Sequence, residues 1–344
     1  MNFFRTKTVT LHDFRGATTT SYKNNKGAIR MDMNEEVRRG YTISKEMKKV
    51  WAVQLDLAKK LLEVCDKHGL RITASGGTTL GAVREHGFIP WDDDIDFQML
   101  REDYDQLAKI APQEFKSLYF FQTTYTDKSY VRGHAQLRMD NTSAVLFFDV
   151  FRPFHQGIFI DIFPLDAVPS TDEGINRLRL QSEKALKKLR DITCPVIHLL
   201  NKDTYKWHEA ARILLTKPFV SLRKAYTEYE NLFRAVDVKE AEEVAMMTFT
   251  WDLFEKTRCT KHVMDNIIKV PFEDIMMPIP AIYDEVLRRQ YGDYMTPAKA
   301  PSYHGWAIVA LDADRSYQDV LREERKRRMS LHKQQLLKAL HLKK

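Results

Sequence analysis

The sequence predicts an α+β domain interrupted by a helical insertion, and three observations predict it. Apolar residues recur at helical spacing between Ser44 and Gly69. Short stretches that read as strands, Arg71–Ala74 and the almost wholly apolar Gly157–Phe163, lie far apart with helical stretches between them. From Thr171 to about Ala245 the pattern turns helical and rich in Lys, Arg and Glu.

Each element has a local reason. Ser44 can cap a helix beginning near Lys45; Val50, Trp51, Leu57, Ala58, Leu61, Leu62 and Cys65 then form its buried stripe, and Gly69 stops it. Arg71–Ala74 reads as a strand that runs into Ser75-Gly76-Gly77 and a short helix through Leu80 and Val83. Residues 89–100 read as an acidic strand and Arg101–Ala111 as a helix. Tyr119–Thr124 is a further strand, and Gly157–Phe163 is apolar enough to be buried on both faces. Pro218 breaks the helical region, since proline cannot continue the ladder. Past Trp251 the pattern is mixed and punctuated by Pro271, Pro278, Pro280, Pro297 and Pro301. These shifts divide the chain into a lead-in (1–40), a core (41–170), a helical subdomain (171–250), a return to the core (251–321) and a basic tail (322–344).

Composition bounds the function. With 344 residues, 44% hydrophobic and 29% charged, the chain can bury a substantial core. No apolar run reaches the roughly 18–20 residues that a bilayer span needs, and the first residues lack a leader's apolar stretch. The expectation is a cytoplasmic protein. Cys65, Cys194 and Cys259 are scattered and form no Cys-x-x-Cys pair, which excludes a disulfide framework or a cysteine-built zinc site. The net charge is +7, but nine Lys/Arg against two Glu in 322–344 account for all of it. A neutral body with a basic tail is not the footprint of a nucleic-acid binder.

The chemistry concentrates in Trp91-Asp92-Asp93-Asp94-Ile95-Asp96-Phe97. If the segment is extended, Asp92, Asp94 and Asp96 share one face, and Ile95 and Phe97 point into the core. Such an array is costly without a cation, and oxygen ligands alone suit Mg²⁺ or Mn²⁺. An isolated Asp triplet is more often a solvated turn. Here Gly76-Gly77 precedes it, where glycine admits a phosphate close to a helix N-terminus. Asp161 follows, inside the apolar run Ile158–Phe163, where an ionised carboxylate needs a metal or an ion-pair partner. Asp166 is the runner-up for that third acid, but behind Pro164 it reads as a loop residue.

Gly-Gly, Asp-x-Asp and a distant Asp on an apolar strand together resemble the nucleotidyltransferase-like fold of the polymerase-beta type. That resemblance implies a mixed sheet with flanking helices. The stretch Ser75–Phe97 resembles, more closely, the signature of the LicD family of phosphotransferases, which is related to fukutin and fukutin-related protein. Gly157–Asp166, Val270-Pro-Phe-Glu273, Tyr291-Gly-Asp-Tyr-Met295 and Tyr303-His-Gly-Trp306 are similar to the family as well.

The resemblance implies transfer of a phospho-alcohol, with phosphocholine foremost, from a CDP-linked donor to a hydroxyl of a surface glycan, lipid-linked glycan or teichoic acid precursor. CMP would leave. Asp94 and Asp96 would hold the metal, with Asp92 a further ligand or a group supporting the ligands from behind. Asp161 would complete the site or take the acceptor's proton. Gly76 and Gly77 would cradle phosphate. Arg84 would fork onto a phosphate oxygen or pair with Glu85; Arg138 and His304 are further phosphate-site candidates, and Trp91 is a base- or choline-stacking residue or simply core. Two rival readings stand beside it: nucleotidyl transfer from a nucleoside triphosphate, and an inactive glycan- or partner-binding homologue. Met329, Leu336, Leu337 and Leu340 fall on one face of the tail, which either lies on the inner face of the membrane or packs on the body.

Overall fold

The structure, a computed structural model, describes residues 22–23, 29–193, 215, 221–248, 250–297 and 307–341. At its centre is a seven-stranded mixed sheet. Two short ribbons come first in the chain: β1 (Tyr22–Lys23) with β2 (Ile29–Arg30), and β3 (Glu36–Arg38) with β4 (Tyr41–Ile43). The first lies wholly, and the second partly, within residues 1–40, which read from sequence as an extended lead-in without periodicity.

Helix α1 spans Lys45–His68. Ser44 Oγ accepts from the Met47 amide at its start, and Gly69 closes it at φ 65°, a left-handed turn that glycine adopts without strain. Its inner stripe carries Trp51, Leu55, Leu57, Ala58 and Leu61 into the main core, where Trp51 stacks on Phe88 at 4.4 Å. Then follow β5 (Thr73–Ala74), α2 (Gly76–Arg84), β6 (Asp96–Leu100), α3 (Arg101–Glu114), β7 (Tyr119–Gln122), β8 (Ala135–Met139), β9 (Ser143–Leu146) and β10 (Phe159–Ala167).

The central strand is β10. On one flank it pairs parallel with β6, Asp161 opposite Asp96. On the other it pairs antiparallel with β8 as far as Ile162 and with β11 (Glu243–Ala245) from Asp166. Strand β5 adds to β6, β7 to β8, and β12 (Cys259–Thr260) to β11. Every residue of β10 is buried, as expected of a strand covered on both faces.

Strand β10 runs on through Pro164 to Ala167, beyond the Phe163 limit that the sequence suggests. Pro164 falls where β8 has ended and β11 has not begun, so its missing N–H leaves no ladder bond unmade on that flank. Asp166 is therefore a strand residue, not a loop residue.

Helices α4 (Asp172–Thr193) and α5 (Leu222–Arg234) pack together over a second core of Tyr226, Tyr229, Phe233, Leu178 and Met247. After α6 (Phe254–Thr257) come a hairpin of β13 (Ile267–Phe272) and β14 (Ile275–Pro280), helix α7 (Tyr283–Tyr291), β15 (Ile308–Asp312) and α8 (Tyr317–His341). Strand β15 pairs with β9. The alternation of helices and a mixed sheet is an α+β architecture. Among the described residues no helix is long and apolar enough to cross a membrane. Cys65 and Cys259 are buried free thiols; Cys194 lies outside the described residues.

Candidate active site

The acidic segment is not a strand throughout. Asp92–Ile95 is irregular, and β6 begins at Asp96. The reason is a set of anchors on its backbone: Trp51 Nε1 donates to the Asp92 carbonyl (3.1 Å) and Gln54 Nε2 to the Asp93 carbonyl (2.7 Å). Released from strict alternation, the carboxylates of Asp92, Asp93 and Asp94 converge, with one oxygen of each within 4.8 Å of the others. Asp93, which alternation would send to the opposite face, thus joins the group.

Asp96 opens β6 and lies opposite Asp161 on β10. Asp94 and Asp96 are half-buried, so solvent reaches them, yet the protein around them desolvates their charge. Their carboxyls are held well above the usual Asp range, first by burial and then by neighbouring carboxylates: Asp96, Asp92, Asp93 and Asp161 act on Asp94, and Asp161, Asp92 and Asp93 on Asp96. The charged neighbours acting most strongly on Asp94 are all acids. This donor set, oxygen-only and charge-excessive, fits a hard divalent cation.

Asp161 differs. Burial (it is 8% exposed) pushes its pKa up. The His134 ring, with Nε2 3.0 Å from Oδ1, the Gln136 amide donating to Oδ1 at 2.6 Å, and the charge of Arg132 outweigh that and hold it below the usual range. Asp161 is the acid of the group kept ionised by the protein itself.

Gly76 and Gly77 open α2 against these acids. A Cβ on Gly77 would come 2.8 Å from Asp92 Oδ2, and one on Gly76, at φ 51°, would meet the Tyr291 hydroxyl at 3.5 Å and Asp96 Oδ2 at 3.9 Å. The helix N-terminus and the acids thus share one narrow space that only glycine leaves open. Thr78 Oγ1 fixes the junction by accepting from the Asp96 amide (2.9 Å).

Three sequence candidates take other roles. Arg84 donates to Glu85 Oε1 (2.7 Å), the ion pair the sequence offered it, and to the Tyr294 carbonyl (2.8 Å). Arg138 is not a free phosphate fork: it is 2% exposed, stacks over Phe159, and spends its guanidinium on Gln122, Gln136 and the Gly157 carbonyl (2.6 Å). Burial lowers its pKa to about 10. Its contact with Gln136 Oε1 leaves the Gln136 amide to face Asp161, so Arg138 positions the acid indirectly. Asp166 makes a bidentate pair with Arg101 (2.6 and 2.7 Å) deep in the sheet. Trp91 is half-buried, edge-on to Tyr41. His304 lies outside the described residues.

His134, Gln136 and Tyr291 are site residues that sequence reasoning missed. For the first two a signal existed: His134, Gln136 and Arg138 alternate with Ala135, Leu137 and Met139, a polar stripe that starts one residue before β8 and runs along one face of it. The Tyr291 hydroxyl reaches the acids from the end of α7, and burial followed by Asp96, Asp92 and Asp94 pushes its pKa up.

Residues 69–179 match the family model described as "LicD/FKTN/FKRP, nucleotidyltransferase domain". The chain is 25% identical over 232 residues to the lipopolysaccharide cholinephosphotransferase LicD of Haemophilus influenzae, which covers 67% of this chain and 84% of that protein. Uncharacterized proteins of Rickettsia prowazekii and Rickettsia typhi match more locally. The first is 40% identical over 78 residues, 23% of this chain and 27% of that protein; the second is 42% identical over 62 residues, 18% and 20%.

Proposed function

With residues 69–179 making this chain a member of the LicD family of phosphotransferases, we propose that it transfers phosphocholine from a CDP-linked donor to a hydroxyl of a lipopolysaccharide-type or teichoic-acid-type glycan. The observation that carries this reading is the meeting of Asp96 and Asp161 across the parallel pair β6/β10, with Asp92–Asp94 and the glycine-opened end of α2 beside them. The sheet is read accordingly as the nucleotidyltransferase type, and the α4/α5 pair as an insertion into it.

Asp92, Asp94 and Asp96 would hold Mg²⁺ or Mn²⁺, which when bound offsets the charge of the donor diphosphate. Gly76 and Gly77 let that diphosphate approach the free N–H groups of α2. Asp161, kept ionised by His134 and Gln136, accepts the proton of the attacking hydroxyl. The acceptor oxygen forms a bond to the choline-bearing phosphorus, the bond from that phosphorus to the bridging oxygen breaks, and CMP departs with the electron pair. Arg138 keeps Gln136, and through it Asp161, in place.

The test is CMP release from CDP-choline with Mg²⁺, with and without EDTA, alongside CDP-ribitol, CDP-glycerol and CTP. Metal-dependent CMP from CDP-choline supports the reading. CMP from another CDP-alcohol would reassign the donor, and pyrophosphate from CTP alone would replace phosphotransfer by nucleotidyl transfer. Silence from all four with a glycan acceptor present would leave a binding protein.

A further inference from the structure

Loop 147–152, which follows β9, displays aromatic side chains to solvent. Phe147 is 55% exposed, Phe148 50% and Phe151 37%, and the Phe147 and Phe148 rings touch edge-to-face at 5.7 Å. Single exposed apolar residues are ordinary, but a contiguous group marks a surface for something.

The loop is built to hold them outward. Val150 is fully buried against Val145, Val320 and Leu321 and anchors its centre. The Phe147 amide donates to the Ala307 carbonyl (2.7 Å). From α8, Arg325 donates to the carbonyls of Val150 and Arg152 and Arg328 to that of Phe147, while the Arg328 guanidinium lies 4.0 Å from the Phe147 ring centroid. The backbone is thus fixed by six-point bracing from the body and α8 rather than left loose at a tip.

The bracing helix is basic. Arg322, Arg325, Lys326, Arg327 and Arg328 outnumber Glu323 and Glu324 in the turns beside the loop, and the chain from 322 onward carries the whole net charge. Arg322, Arg327 and Arg328 pair with Asp319 and Glu324, and Arg325 is held on the loop carbonyls, yet these turns keep a net positive charge and Lys326 is exposed. Rigid aromatic tips flanked by this excess charge complement an anionic bilayer interface, with rings entering the acyl boundary and the cationic turns facing lipid phosphates.

We propose that Phe147, Phe148 and Phe151, with the basic start of α8, form a docking surface for anionic membranes. The loop is tied to the candidate active site by geometry: Asp149 in the same loop pairs with Arg132, two residues before His134, whose ring reaches Asp161. Docking there would bring the acids near the interface, where a lipid-carried acceptor resides. The docking itself requires no donor or acceptor, so it stands or falls separately from the reaction proposed above.

The experiment is sedimentation of the full chain with vesicles of phosphatidylcholine alone or mixed equally with phosphatidylglycerol, at low and high salt. Partition onto the anionic vesicles is expected, weakening with salt as the charge attraction is screened. The double variant Phe147→Ser/Phe148→Ser should lower it about tenfold or more, the scale set by two withheld rings. Lys326→Glu should lower it on anionic vesicles alone. Melting curves verify the fold, and Phe148→Ser by itself gives the same reading if loss of the Arg328 contact unsettles the double variant. Failure of the wild-type chain to bind anionic vesicles, or binding indifferent to both phenylalanines, overturns the proposal. So does a dimer in solution that the double variant dissolves, since the rings would then cover a second copy.

Discussion

The acid cluster should make the metal-free protein less stable than a variant that has lost one of its members. Take Asp94→Asn. With oxygens within 4.8 Å of those of Asp92 and Asp93, and an effective dielectric of about 20, one fully ionised pair repels by about 3.5 kcal/mol. Solvent access and partial protonation discount this to about 1–2 kcal/mol of relief. At about 2–4 °C per kcal/mol, the variant should melt about 2–8 °C higher than wild type in EDTA. The sign in pH follows from the raised carboxyls of Asp94 and Asp96. A folded-state pKa above the unfolded value of about 3.9 contributes stability that is full below the unfolded value and is lost as pH rises through the folded one. The gap between variant and wild type should therefore widen from acid toward neutral pH. Added Mg²⁺ reverses the order: at 100 times its dissociation constant it stabilises wild type by about 2.7 kcal/mol, and the variant by much less. CMP release by the variant should fall at least about 100-fold. Differential scanning fluorimetry across pH, with Mg²⁺ or EDTA, reads the first two effects. A variant that melts below wild type in EDTA, or keeps the full Mg²⁺ shift and turnover, would refute the reasoning.

Other substitutions separate the roles assigned above. Gly77→Ala should leave the melting point within about 2 °C but lower turnover about 100-fold, because the new methyl forces Asp92 aside; unchanged turnover would mean the acids need no such close approach. Arg138→Lys should lower kcat about tenfold or more with little change in donor KM, by freeing Gln136 from its hold. A rise in donor KM alone would instead make Arg138 a phosphate contact. Arg101→Met strands the buried Asp166 carboxylate and should cost about 3–5 kcal/mol in urea unfolding. If Arg101→Met unfolds like wild type, the pair is not what holds β10 against α3.

Sequence alone marked Asp92, Asp94 and Asp96 because Gly76-Gly77 precedes their alternation, and Asp161 because a carboxylate inside an apolar run is conspicuous. What it could not show was the conformation that groups them. Alternation assumes an extended chain, and the bonds from Trp51 and Gln54 that bend Asp92–Ile95 out of a strand come from a helix some 40 positions earlier. Asp93 was invisible for that reason. Arg138 looked like a phosphate ligand because a lone arginine carries no sign of its burial; only the register placing Gln136 opposite Asp161 reveals its use. Pro164 misled in the same way. A proline ends a strand unless the flank it faces is vacant, and that vacancy depends on β8 and β11, which no local pattern announces.

The arrangement also explains why the third acid sits on a different strand. Asp94 and Asp96 come from one short acidic segment, and burial, followed by the neighbouring carboxylates, drives their carboxyls toward protonation. In the proposed reaction the base must stay ionised beside them, which requires donors on its own carboxylate. Strand β8 supplies these from the opposite flank of β10: His134 and Gln136 reach Asp161, and Arg138 holds Gln136. The central position of β10, parallel to the acid strand on one side and antiparallel to the donor strand on the other, is the feature that lets one carboxylate face both. Exchanging the donors for apolar residues should therefore abolish the distinction between Asp161 and its neighbours before it disturbs the sheet. His134→Phe, which keeps a ring against Phe163, is the variant that tests it. The expected result is an acid limb of the pH–rate profile displaced upward, with the fold intact by circular dichroism. An unmoved limb would place the ionising base elsewhere.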